Sequence, residues 1–492
     1  MDKNIKLTIV LLILLSLISL LTHYSGSTDY GDYAYVAKFF AGKYNANIRT
    51  SHNLLYGFIY SPLVWIFNGV FVMKIASLLF LILIVFSLYY ISKKNKITLL
   101  LLIASPIVWF MGPWISPIQL ATLLFLWGFF FIEKFDKSGK KQYLLYSGLL
   151  IGLSWAFWNT MLFILFFFII CFFYNKKFKH LILFLFSIIL GLSPLLIFDQ
   201  IVYGMAFFSI LKHIGGIFTF SFYGSIYQLG STETHSIIRY ITFLLMFPIF
   251  SYRLFSKSFF KENKKEIIFL TLVFLFFLFN PQVRYILVFW PVLILYLSKA
   301  LTKKQFRIQF IIFLIISLVV INPYIIQVKY YFVNPSDEYM DPHADIVFIT
   351  NNIQNLKITS ISQEELIRED LKQIAKEYPN ESFVVGNTPD NYAYLAFVYL
   401  GEEIKEFVSI QDYDLYLNNE SALFEKKLVF NSKLPSVPDR RQIWIGGGIG
   451  KSENDNTDYE NIEFGIGRGE QINLKDFKLL KKYNILYLSE KI

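Results

Sequence analysis

Runs of apolar residues too long and too free of charge for a water-soluble core constrain this chain before anything else does. Leu7–Leu21, Ile75–Ile91 and Ile308–Ile321 contain no acidic or basic side chain. A helix needs roughly 20 apolar residues to cross the hydrocarbon layer of a bilayer. The runs are continuous rather than alternating, which argues against membrane strands. A composition of 55% hydrophobic and 19% aromatic residues over 492 positions fits the same reading.

Hydropathy and Pro/Gly punctuation predict a polytopic α-helical membrane protein with about 11 transmembrane helices. The spans fall near 5–22, 71–92, 97–110, 117–133, 143–157, 160–174, 180–198, 236–252, 266–280, 284–301 and 307–327. The first is preceded by Asp2, Lys3 and Lys6, lacks a small-residue cleavage site and reads as a retained helix. Cys171 is the single cysteine, so neither a disulfide framework nor a cysteine-ligated metal is expected.

Alternate connections are basic: Lys93-Lys94-Asn95-Lys96, Lys134 to Lys141, Lys176-Lys177-Phe178-Lys179, Arg253 to Lys265, and Lys303-Lys304 with Arg307. With Lys3 and Lys6 they fall on one side, which the positive-inside rule makes cytoplasmic. The net charge of +10 is therefore largely a topology signal, not a nucleic-acid footprint. Thr28–Tyr60, the Asp199–His235 loop and the chain beyond Lys329 are expected outside the cell membrane, with the N-terminus cytoplasmic.

Basic residues on that outer side are not required by topology. Lys74, Arg239 and Arg284 sit near outer span ends, and Arg49, His52, Lys212 and His213 in outer loops. They read either as snorkelling anchors or as a set able to hold a lipid-linked phosphate, a task for which the arginine fork suits. Arg284-Tyr285 follows Asn280-Pro281-Gln282 at a predicted helix start, where backbone N–H groups also favour anions.

Thr28–Phe67 follows the first span and carries two carboxylates, Asp29 and Asp32, three residues apart. Such a pair can take a proton from an acceptor hydroxyl, ligate a divalent metal (Mg or Mn) through oxygen, or cap the amphipathic helix expected over Tyr33–Ala41. Tyr60-Ser61-Pro62-Leu63 then leads into the next span. The outer loop after Asp199 is rich in Phe and Gly and is expected along the membrane interface, where Asp199, His213 and Glu233 could reach the site.

Beyond residue 335 the composition turns polar and mixed. Ser362–Tyr378 opens with a capping box and predicts an amphipathic helix. Ser382–Gly386, Gln442–Ile445 and Ile485–Leu488 predict strands, and Asp390–Leu400 and Leu474–Tyr483 helices. The division is thus a membrane unit over 1–330 and an extracytoplasmic α/β domain over 331–492. Ile445–Ser452 (IGGGIGKS) misses the phosphate-loop spacing and reads as a turn. Asn380-Glu381-Ser382 and Asn419-Glu420-Ser421 match the glycosylation acceptor pattern.

The order of these features resembles the GT-C superfamily of membrane glycosyltransferases, which includes protein O-mannosyltransferases, lipid A aminoarabinose transferases and GPI-type mannosyltransferases. The resemblance rests on Asp29 with Asp32 after the first span, the helix over Tyr33–Gly42, Tyr60-Ser61-Pro62-Leu63, the Gly-rich Ser147–Leu153 and Arg284-Tyr285 with Pro291. Asp-x-x-Asp departs from the family's acidic pairs, and Asn159 stands where many relatives place a lysine.

That resemblance implies an inverting transferase moving a hexose or pentose from a polyprenyl-phosphate carrier to a lipid, glycan or protein acceptor, with no nucleotide. It implies Asp29 or Asp32 as base, and Arg284, Tyr285, Lys74, Arg239, Lys212 and His213 around the donor phosphate. Tyr60, Asp199 and Glu233 would line the acceptor side, and any metal would bind Asp29 and Asp32. The competing expectation is a transporter or lipid flippase, which would place broken helices and ionisable groups near the bilayer midplane.

Overall fold

The computed structural model describes residues 3–21, 29–42, 48–50, 54–67, 71–112, 114–158, 161–174, 177–211, 264–279, 286–326, 363–379, 381–385, 406–409, 447–449, 462–468, 476–484 and 486–492. The chain opens with α1 (Lys3–Leu21), α2 (Asp29–Phe40), β1 (Ile48–Thr50), α3 (Leu55–Phe67) and α4 (Phe71–Ile91). Next come α5 (Lys96–Ala104), α6 (Pro106–Met111), α7 (Ile118–Ser138), α8 (Lys141–Phe157), α9 (Met161–Tyr174) and α10 (Phe178–Tyr203). They are followed by α11 (Lys264–Phe279), α12 (Trp290–Ala300), α13 (Lys303–Ile326) and α14 (Gln363–Glu377). The strands of the C-terminal part are β2 (Ser382–Val385), β3 (Glu406–Ser409), β4 (Gly447–Ile449), β5 (Phe464–Arg468), β6 (Phe477–Lys482) and β7 (Leu486–Lys491).

Among the described residues three helices are long and apolar enough to cross a membrane: Val72–Ile91, Ile118–Ser138 and Phe178–Tyr203. Their apolar residues surround the helix instead of forming one stripe. On α4, Leu81, Ile84, Val85 and Leu88 are buried while Leu79, Leu83, Phe86 and Tyr90 are exposed. A helix apolar on both faces has protein on one and hydrocarbon on the other.

The centre of the bundle is α7, α8 and α10. Water cannot drive helices together inside lipid, so packing falls to small residues and hydroxyls. Ser147 donates to the Gly128 carbonyl at 2.7 Å and Ser154 to that of Ala121 at 2.8 Å, both from α8 to α7. Gly148 and Gly152 of α8 meet α10 at Ser187, Ile188 and Gly191 with no space for a Cβ.

Three expected elements are corrected. The span over 97–110 is broken at Ser105-Pro106 into α5 and α6, because Pro106 has no N–H to continue the ladder. Tyr60-Ser61-Pro62-Leu63 does not run directly into the next span but lies inside α3, which ends at Phe67. Pro62 is tolerated there because the Ser61 hydroxyl donates to the Phe58 carbonyl at 2.7 Å, the acceptor the proline leaves unserved. The helix expected over Leu474–Tyr483 is the edge strand β6. Only one of its six residues, Phe477, is fully buried, so the segment lacks the alternation that marks a strand, while its lysines suit an exposed edge.

The C-terminal sheet has the order β3-β2-β5-β7-β6. β2 pairs in parallel with β3 and β5, and β7 pairs antiparallel with β5 and β6. The expected amphipathic helix is α14, tied to the β6–β7 turn through Asp370. Its carboxylate accepts from the Leu486 N–H at 3.0 Å and from the Asn484 side chain at 2.8 Å. Glu377, one helix end further, accepts from Lys481 and from the Tyr483 hydroxyl, each at 2.7 Å. The Gly-rich segment read as a turn contributes β4, which pairs antiparallel with β1 in the register Ile48 to Ile449, Arg49 to Gly448 and Thr50 to Gly447. Residues 236–252, Asp390–Leu400 and Gln442–Ile445 lie outside the described residues.

Candidate functional site

Asp29 and Asp32 are the first and fourth residues of α2, so both belong to its first turn. The helix starts four residues before the expected Tyr33. Its N-terminal end carries the positive pole of the backbone dipole, which favours ionised carboxylates there.

The helix is held against α3 at backbone range. A Cβ on Gly57 would lie 2.4 Å from a Val36 side-chain carbon and 3.0 Å from the Ala37 nitrogen, so the crossing depends on glycine at that position. One turn from Asp29, Tyr33 meets Tyr56 edge-on at 5.2 Å between ring centroids, and Tyr56 meets Tyr60 at 4.7 Å. All three tyrosines are buried. Phe40 at the far end of α2 and Phe58 of α3 close a triangle with Phe198 of α10, at 5.2, 5.8 and 5.1 Å. The acidic helix therefore sits on α3 from Tyr33 to Phe40, with α10 joining at its far end.

Lys74 lies in the first turn of α4 and is only 4% exposed. It is thus surrounded by protein, whereas an anchor snorkelling to a lipid surface would be exposed. Ser77 is three residues on, on the same helix face, and its hydroxyl neighbours that of Tyr56. α4 in this way places the Ser77 hydroxyl beside Tyr56, with the buried Lys74 about one turn away on the same helix. Lys38 of α2 is also buried. The sequence reading passed over Lys38, Tyr33, Tyr56 and Ser77. The Tyr56/Tyr60 spacing of four on a helix was the available signal.

Asp199 is in the last turn of α10, not in the following loop, and is fully buried. Its carboxylate accepts from the Ser209 N–H at 2.8 Å and from the Ser209 hydroxyl at 2.7 Å. This holds the chain reversal after Gly204, with Tyr203 stacked on Phe208 at 3.9 Å. Arg284, Tyr285, Arg239, Lys212, His213 and Glu233 lie outside the described residues, as does Asn159. Among the described residues no three His, Cys, Asp or Glu side chains converge as a metal site.

No protein-family model matches the sequence, and no curated protein does. Solved structures do. ArnT from Cupriavidus metallidurans in the apo state superposes with a TM-score of 0.61 at 11% identity, covering 99% of this chain and 98% of that one. This chain has the ArnT fold. The ArnT structure bound to undecaprenyl phosphate gives a TM-score of 0.57 at 10% identity, with the same coverage of both chains. The ArnT alignment runs over nearly the whole of this chain. At 10–11% identity the likeness shows a shared fold.

Proposed function

We propose that this protein is an integral-membrane glycosyltransferase that takes a sugar from a polyprenyl-phosphate carrier. The observation that carries the reading is the end-to-end likeness to ArnT, one of whose structures holds undecaprenyl phosphate. The packing of the acidic helix on α3, with Phe40 also against Phe198 of α10, supports it, since it sets Asp29 and Asp32 on a helix seated against buried tyrosines.

In the proposed reaction Asp29 or Asp32 takes the proton of an acceptor hydroxyl. The freed oxygen attacks the anomeric carbon from the face opposite the phosphate. The carbon–oxygen bond to phosphate breaks, the anomeric centre inverts, and the carrier leaves as polyprenyl phosphate. Charge builds on the leaving phosphate, so preorganised cations are the principal source of rate enhancement. Lys74 supplies one, and Arg284 with Tyr285, Arg239, Lys212 and His213 supplies the rest in this reading. Asp29 and Asp32 are also the oxygen donors that would hold a divalent cation. Tyr60 and Glu233 remain assigned to the acceptor side. The site faces the extracytoplasmic leaflet, the N-terminus the cytoplasm, and residues 331–492 form a domain that binds the acceptor or covers the site.

The transporter reading predicts a broken helix with free polar groups near the midplane. A broken helix exists at Ser105-Pro106, but its carbonyls are occupied. Leu102 accepts from the Ser105 hydroxyl, Ile103 from the Trp109 indole and Ala104 from the Ser317 hydroxyl. The break is closed by the protein itself, which favours the transferase.

The test uses full-length protein in lipid nanodiscs with Asp29→Asn and Asp32→Asn. At least one should lose turnover by two or more orders of magnitude, the usual scale for a general base, while still binding polyprenyl phosphate. Full activity in both variants and in their combination would end the reading.

A further inference from the structure

One carboxylate gathers two lysines at the basic end of the bundle. Asp136, in the last turn of α7, accepts from Lys177 at 3.4 Å through one oxygen and pairs with Lys265 through the other. Lys177 stands at the start of α10, and Lys265 is the second residue of α11. Lys177 also lies over the Phe135 ring at 5.3 Å, and Lys134 over Phe130 at 4.6 Å. Two ammoniums against one carboxylate leave the trio with one positive charge. Their side chains keep 37% and 50% of their surface exposed, so a second anion can reach both.

A stripe of apolar side chains ends at this corner. Phe178, Ile182, Phe186 and Ile189 are spaced four, four and three apart, so they share one face of α10, and all are exposed. Phe173, exposed at the end of α9, meets Phe178 edge-on at 5.0 Å. Behind the stripe, Phe172 and Phe184 join α9 to α10 at 5.5 Å, and Phe167 and Phe269 join α9 to α11 at 5.3 Å. From Phe178 to Ile189 the helix rises about 16 Å, close to half of the roughly 30 Å hydrocarbon core.

We propose that this corner binds an anionic phospholipid. Its phosphate sits between Lys177 and Lys265, and one acyl chain lies along the stripe from Phe173 to Ile189. Ammoniums that converge on the two oxygens of a carboxylate are placed to converge on two oxygens of a phosphate as well, and Asp136 holds them there. The single negative charge of a phosphodiester brings the trio to neutrality. A choline headgroup would add a cation beside the lysines, which selects against a zwitterionic lipid. The site does not depend on the transferase reading.

The experiment uses full-length protein in neutral detergent. Phosphatidylglycerol is the probe, with phosphatidylcholine and inorganic phosphate as comparisons. Bound lipid is counted by native mass spectrometry, and each variant's melting temperature is read against its own lipid-free value. Phosphatidylglycerol should raise the melting temperature as its concentration rises, because a ligand of the folded state stabilises by mass action. Lys177→Gln and Lys265→Gln should each weaken its affinity about fivefold, the worth of one lysine near an anionic headgroup. Lys304→Gln makes the same change of charge at an exposed lysine of α13, outside the Asp136 trio, and should leave affinity within about twofold. Equal weakening by Lys304→Gln would reduce the effect to net charge and overturn the site. Equal stabilisation by phosphatidylcholine, or by inorganic phosphate without lipid, would overturn it too.

Discussion

Gly152 of α8 and Gly191 of α10 touch through their backbones: a Cβ on Gly191 would lie 2.9 Å from the Gly152 Cα and 2.1 Å from the Leu149 carbonyl oxygen. Neither obstacle is a side chain that could turn away. Gly191→Ala should therefore push the two helices apart and cost about 2–3 kcal/mol, the upper range for overpacking. Thermal unfolding in detergent should show a clear loss. A neutral result would mean that α8 and α10 are more loosely seated than the structure has them.

Lys74 provides a contrasting case. Lys74 is only 4% exposed and has an interaction of its own within the protein, so removing its charge is expected to lower stability as well. In the folded fraction, Lys74→Met is expected to raise the donor KM by about tenfold or more, in line with loss of one charge-assisted contact. A variant that unfolds while its KM holds would mark Lys74 as a structural ion-pair member.

Asp199 is expected to act through structure alone. Asp199→Ala leaves the Ser209 N–H and hydroxyl buried without the acceptor they use now. The expected cost is about 2–3 kcal/mol of stability, with specific activity per folded molecule unchanged. A fall in kcat in correctly folded protein would return Asp199 to the list of site residues that the sequence suggested.

Acid should loosen the C-terminal sheet through Glu377. Lys481, followed by Tyr483 and Gln373, holds its carboxyl down at about 2, against an ordinary value near 4.5. A depressed carboxylate pKa stabilises the folded state above the ordinary value, and this contribution is lost as pH falls from about 4.5 toward 2. Wild type and Glu377→Gln should thus differ in thermal stability at neutral pH and converge below about pH 2. Because the pair is partly exposed, the difference should also shrink in high salt. Curves that stay parallel down to pH 2 would exclude the mechanism.

What the sequence made legible follows the range of the interactions involved. The apolar runs of α1, α4, α7, α8 and α10 announce themselves, because spanning a bilayer is a property of one segment. The capping box placed α14 to within a residue for the same reason. Ser105-Pro106 was hidden because its flanks are equally apolar, and the hydroxyl and indole groups that close the break come from residues as distant as Ser317. β6 was misread because an edge strand with a single deeply buried residue carries no period of two.

The candidate site shows the same division. Asp29 and Asp32 stood out as carboxylates beside an apolar run. Tyr33, Tyr56 and Ser77 looked ordinary until α2, α3 and α4 came together. Asp199 looked available because it borders a span, and only the Ser209 contacts show where its lone pairs go.

The pairing of Ile48–Thr50 with Gly447–Ile449 joins the stretch just after the acidic helix to a strand nearly 400 positions later. During synthesis the early strand must wait, its backbone groups served by water, until almost the entire polypeptide has been made. On the proposed topology both strands must also have been delivered to the same compartment. Truncation between Ile326 and Gly447 would leave the helices of the membrane unit in the product yet remove the partner of the segment beside Asp29 and Asp32. A ribosome that stops early thus yields an anchored protein with an unfinished corner, and the integrity of the message's far end is written into the geometry of its beginning.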